Sequence, residues 1–95
     1  MAKLRAETLK AVIDPERFYR DSGLTLKGRA NGDGWLLTRC PLHDDSNPSL
    51  SVNLKNGGFC CFSCGEKGDL IRFHSLLNRL SFRESMNDLA RIYLR

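Results

Sequence analysis

The chemistry in this sequence is concentrated in two short runs, Cys40-Pro41-Leu42-His43 and Cys61-Phe62-Ser63-Cys64-Gly65. Each places two soft or borderline donors two residues apart, a spacing at which one tight turn brings both onto an edge of a tetrahedron. Zinc has no d-electron preference for geometry and accepts four such donors, so the two knuckles together make a closed site. The predicted ligands are Cys40, His43, Cys61 and Cys64, holding one structural Zn2+. A catalytic zinc keeps an open position for water or substrate, and here the protein fills all four, so no catalytic residue is assigned. Gly65 lets the backbone after the second cysteine take positive φ and curl its amides toward the thiolates, and Pro41 stiffens the first knuckle.

Two other uses of the cysteines fit less well. Disulfide pairing among the 4 cysteines leaves the Cys-x-x-His knuckle unexplained, and the N-terminus lacks the apolar core of a secretory signal. A redox Cys-x-x-Cys usually sits in a βαβ unit, which the flanks of Cys61 and Cys64 do not resemble. Cys60 adjoins Cys61 in a predicted strand, so the pleat turns it to the opposite face, away from the metal. Asp44 and Asp45 read as turn caps or as partners of the metal histidine. His74 reads as a partly exposed helix residue.

The elements that must position these donors come from a chain of 95 residues, one domain near the size where an apolar core alone is marginal. Zinc contributes about 10–16 kcal/mol in finger peptides, so the metal-binding region is expected not to fold without it. The formal charge of +4 and pI near 9.1 lean toward a polyanionic partner. No apolar run approaches the roughly 20 residues of a membrane span, and the thiols suit a reducing, cytoplasmic setting.

Residues 1–13 are expected as a tail or short helix, and residues 14–95 as the domain. Asp14-Pro15-Glu16 starts a helix running to about Asp21 and ended by Gly23. Four short antiparallel strands are predicted: Leu24–Lys27, Trp35–Arg39 after the Asn31-Gly32-Asp33-Gly34 turn, Ser49–Val52, and Phe59–Phe62 after Asn56-Gly57-Gly58. Asp69 caps a helix with Leu70, Phe73, Leu76, Leu77 and Leu80 on one face. Ser81-Phe82-Arg83-Glu84 is a capping box for another, with Phe82, Met86, Leu89, Ala90 and Tyr93 as its apolar stripe. The fold class is a small α+β domain, an antiparallel β-sheet of about four to five strands with a short N-terminal helix and two C-terminal helices.

Single-stranded nucleic acid is held by basic residues along phosphates and by aromatic faces that stack bases. Lys27, Arg29, Arg39 and Lys55 lie on or beside predicted strands, Lys67 follows the second knuckle, and Trp35 and Phe62 are candidate platforms. The same charges also suit a solvated face, and the same aromatics a core.

Cys-Pro-Leu-His-Asp-Asp-x-x-Pro-Ser-Leu-Ser-Val, followed by Phe-x-Cys-Phe-x-Cys-Gly-x-x-Gly-Asp, resembles the zinc-binding domain of bacterial-type, DnaG-like DNA primases, with wording closest to phage and mobile-element versions. The resemblance runs from about Asp14 to the end of the chain. It implies a zinc ribbon whose sheet face contacts single-stranded DNA template during primer initiation, with Cys40, His43, Cys61 and Cys64 as ligands. Nucleotidyl transfer belongs in that family to a separate polymerase domain, so the chain is expected not to be an enzyme by itself. Its implied partners are single-stranded DNA and a primase polymerase domain or other replication protein. An alternative is a stand-alone mobile-element protein that uses the ribbon to dock on such a protein. The sequence departs from the family's commoner wording at Ser46 and Asn47, where a basic residue is frequent, and in the glycine-rich stretch from Gly28 to Gly34.

Overall fold

The computed structural model describes residues 5–42 and 47–94. Two helices open the fold, α1 (Ala6–Val12) and α2 (Pro15–Asp21). An antiparallel sheet follows, β1 (Trp35–Thr38), β2 (Leu50–Asn53), β3 (Phe59–Cys61) and β4 (Lys67–Gly68), and α3 (Leu70–Asn78) and α4 (Phe82–Tyr93) close it. The strands pair in chain order, a simple meander.

The helix starts follow from local chemistry. Asp14 accepts the Arg17 N–H at 3.1 Å with Pro15 at the first helical position, and Asp69 accepts the Arg72 N–H at 2.9 Å. In the capping box, Ser81 Oγ accepts the Glu84 N–H at 3.1 Å while the Glu84 carboxylate accepts the Ser81 N–H at 2.8 Å. Each satisfies donors that the first turn of a helix otherwise leaves without partners.

One face of the sheet is packed. Leu36, Val52 and Phe59 form one cross-strand row and Thr38, Leu50 and Cys61 the next, and all six are buried. Phe73 of α3 sits over this face, with ring centroids 5.2 Å from Phe59, 5.0 Å from Tyr19 and 6.1 Å from Phe18, each edge-to-face. The Tyr19 hydroxyl donates to the Gly57 carbonyl at 2.6 Å, tying α2 to the β2–β3 turn. Burial first, and then the Asp69 charge, raise the pKa of that phenol well above its ordinary value.

Several expectations are corrected. Leu24–Lys27 is not a ladder strand, although Leu24 and Leu26 are buried in alternation. Gly23 at φ 96° and Gly28 at φ 83° bend the chain at both ends, and the segment is tied to β1 through Thr38 Oγ1, which donates to the Thr25 carbonyl at 3.2 Å. The fourth strand is instead Lys67–Gly68, set against β3 as the chain returns from the second knuckle. Within the stretch expected as a tail or short helix, Ala6–Val12 is α1, and Leu9 and Ile13 lie in the same core cluster as Phe18 and Phe73. His74 is buried between α3 and α4, its Nε2 2.7 Å from Asp88 and its Nδ1 3.2 Å from the Asn78 amide. Phe82, placed in the apolar stripe, is half exposed.

Candidate functional site

The site begins where β1 and β3 deliver their last residues. Cys40 follows β1 and is buried, Cys61 ends β3 and is buried, and Cys64 lies exposed on the turn that follows. The Gly65 N–H closes that turn on the Cys61 carbonyl at 2.9 Å, and the Cys61 N–H reaches the Glu66 carbonyl at 2.8 Å. Gly65 takes φ 78°, the left-handed conformation the knuckle requires. The result is a convergence of three sulfurs, those of Cys40, Cys61 and Cys64, all within 4.8 Å of one another.

That spacing fits a metal. Zn–S bonds of about 2.3 Å at tetrahedral angles put sulfurs about 3.8 Å apart. The protonation chemistry fits too. Without a cation, burial first and then the neighbouring Cys61 and Cys64 push the Cys40 thiol up to about 12, although the Leu42 amide draws it part of the way back. Three thiolates are held this close only when a divalent cation compensates them. Ser49 Oγ lies 3.6 Å from Cys61 Sγ, in place to donate to it once it is a thiolate. Cys60 stands outside the cluster, half-buried on the other face of β3, as the pleat requires. His43, with Asp44, Asp45 and Ser46, lies outside the described residues.

The other sequence-predicted residues separate into three groups. Register places Leu37, Ser51, Cys60 and Lys67 in one row across the outer face of the sheet. Trp35 shares that face, half-buried. The Phe62 N–H bonds the Ser49 carbonyl at 2.9 Å, which continues the ladder and sets Arg39, Ser49 and Phe62 as the next row. Phe62 is 73% exposed and Leu37 54%. Trp35, Arg39, Phe62 and Lys67 therefore share one face of the sheet, with Arg39 and Phe62 in one row, Lys67 in the next and Trp35 in the row beyond. Lys27 and Arg29 are exposed on the segment before β1, off the sheet. Lys55 is committed elsewhere, its Nζ donating to the Gly32 carbonyl at 2.7 Å across the hairpin turns. Leu37 was not singled out in the sequence, although the unbroken run Trp35-Leu36-Leu37 puts apolar residues on both faces of one strand.

A meander sheet with a three-thiolate knuckle pair, backed by helices, defines a small zinc-binding domain. The CHC2 zinc finger family model of the DnaG zinc ribbon matches residues 8–94, and the chain belongs to that family. It is 36% identical to a DNA primase of Streptomyces coelicolor over 88 residues, 93% of this chain and 14% of that one. A DNA primase of Synechococcus elongatus is 44% identical over 54 residues, 57% of this chain and 8% of the other. The crystal structure of the zinc-binding and RNA polymerase domains of the Aquifex aeolicus primase superposes with a TM-score of 0.77 at 34% identity, covering 92% of this chain and 21% of that one. The chain thus spans a small part of the relatives it matches. It is a primase-type zinc-binding domain whose cofactor is one structural zinc. Among the described residues no helix is long and apolar enough to cross a membrane.

Proposed function

We propose that the outer face of the sheet receives single-stranded DNA template during primer initiation, for a polymerase domain that carries out nucleotidyl transfer. The zinc is held by Cys40, Cys61 and Cys64, with His43 of the first knuckle as fourth donor. It fixes the ends of β1 and β3 and so the spacing of the residues they carry on that face. The observation that carries the reading is Phe62, 73% exposed, with Arg39 in its own row and Lys67 in the next. A stacked base is worth roughly 1–3 kcal/mol, and flanking cations take the adjoining phosphates. Leu37 and Trp35 extend the apolar surface along β1, so a strand lying across the sheet meets both chemistries.

The test is fluorescence anisotropy of the zinc-loaded chain with labelled oligothymidylate at several salt concentrations. Affinity is expected to fall with salt with a logarithmic slope of about −0.7 per phosphate contact, and Arg39→Ala and Lys67→Ala each to reduce that slope by about one contact. Salt-independent binding, or binding confined to duplex, would overturn the reading.

A further inference from the structure

Among the described residues, no strand pairs with the edge of β1 that faces away from β2. The Leu54 N–H reaches the Gly34 carbonyl at 2.7 Å, while Asn53 turns its N–H the other way, onto the Gly58 carbonyl at 2.7 Å. In an antiparallel pair this alternation aims the main-chain groups of Leu36 and Thr38 at β2. Those of Trp35, Leu37 and, one step past the strand, Arg39 point to the open edge. Trp35 is satisfied there by Asn31, whose Oδ1 accepts its N–H at 3.0 Å and whose N–H bonds its carbonyl at 2.9 Å. The main-chain groups of Leu37 and Arg39 bond to none of the described residues. Pro41, with no N–H, ends the run.

Beside this edge runs a groove of about 580 Å³, with Leu37 and Arg39 on one wall and Leu24, Thr25 and Lys27 on the other. Among the described residues its lining holds two cations and no acid, and neither Lys27 nor Arg39 has an ion-pair partner there. We propose that this edge docks an extended acidic peptide segment of a partner protein, which adds to the sheet as a strand beside β1. A peptide supplies donors and acceptors in the alternation that the Leu37 and Arg39 N–H and C=O groups need. A phosphodiester backbone supplies acceptors and no donors, so in a nucleic-acid strand only base N–H groups could reach the two carbonyls, and not in the regular alternation of a peptide ladder. Lys27 and Arg39 select acidic side chains on the added strand. The edge and the outer sheet face share Leu37 and Arg39, while Lys27 belongs to the groove and Phe62 to the face, so the two surfaces can be tested apart.

The experiment uses the zinc-loaded full chain, isotopically labelled, with a capped octapeptide of alternating valine and aspartate as the probe. At about ten times its Kd, exchange of the Leu37 and Arg39 amides is expected to slow about tenfold, since exchange then waits for the free state. N-methylation of alternate peptide amides is expected to abolish binding. Lys27→Glu is expected to weaken it about tenfold without moving the melting temperature. Oligothymidylate is expected to leave both amides exchanging freely. The proposal is overturned if the peptide does not bind, if it binds without protecting these amides, if the N-methylated peptide binds equally well, or if oligothymidylate alone protects them.

Discussion

The same strands build the two faces of the sheet, and the faces follow different rules. On the inner face Leu36, Leu50, Val52, Phe59 and Cys61 are buried in the core cluster that also holds Phe73 and Tyr19, as the period of two in a half-buried strand demands. On the outer face that period calls for polar residues, yet Leu37 and Phe62 stand largely exposed beside Arg39 and Lys67. Exposure of a large aromatic gains nothing for folding. The inner face therefore accounts for stability and, on the function proposed, the outer face for contact, and substitutions should divide the same way.

The largest effect is expected at the metal, which both faces depend on for the ends of β1 and β3. Chelation removes about 10 kcal/mol or more of folding free energy, of which Cys61→Ser, with three donors left, should remove only part. Chelation should abolish amide-exchange protection in β1, β2 and β3. Retained protection there in metal-free protein would mean that the apolar core alone holds the sheet.

Next comes the inner face itself. Phe59→Ala deletes a ring touching Phe73 and should cost about 3–5 kcal/mol in chemical denaturation of the zinc-loaded protein. Tyr19→Phe keeps the ring but leaves the buried Gly57 carbonyl without its donor, for about 1–3 kcal/mol. Tyr19 also gives an alkaline signature. Its folded pKa lies above the unfolded value of about 10, so its contribution is complete below that pH and declines as pH rises past it. The Phe variant should lose this part of the alkaline slope.

A smaller effect is expected between α3 and α4. The hydrogen bond with His74, and then that with Arg91, hold the Asp88 carboxyl below its ordinary value. Its contribution is present above the unfolded carboxyl value of about 3.9 and is lost as pH falls through the lower folded value. Stability of Asp88→Asn, measured from pH 6 downward, should decline less steeply than that of the parent.

The inner face was largely legible in the sequence and the outer face only in part, because burial leaves a periodic signal and contact does not. The knuckles were legible because the donor geometry dictates their spacing, and the caps at Asp14, Asp69 and Ser81 because they act within three residues. Leu24–Lys27 misled because alternation reports which side chains are buried and not whether the backbone joins a ladder. Lys67–Gly68 carries no apolar signal, since the return from the second knuckle makes it a strand. His74 found its partner at Asp88, 14 residues away on another helix, which a local window does not reach. Leu37 carries no signal of its own within the run Trp35-Leu36-Leu37, and only register sets it beside Ser51 on the exposed side.

The most direct test of the two-face account is the single-strand affinity of Phe62→Ala, measured by anisotropy beside its thermal unfolding. Stability is expected to stay within about 0.5 kcal/mol of the parent, because the ring is 73% exposed. Affinity for oligothymidylate is expected to fall by about 1–3 kcal/mol, one stacked base. Unchanged affinity, or a loss that merely follows a lowered melting temperature, would contradict the assignment of that face to the template.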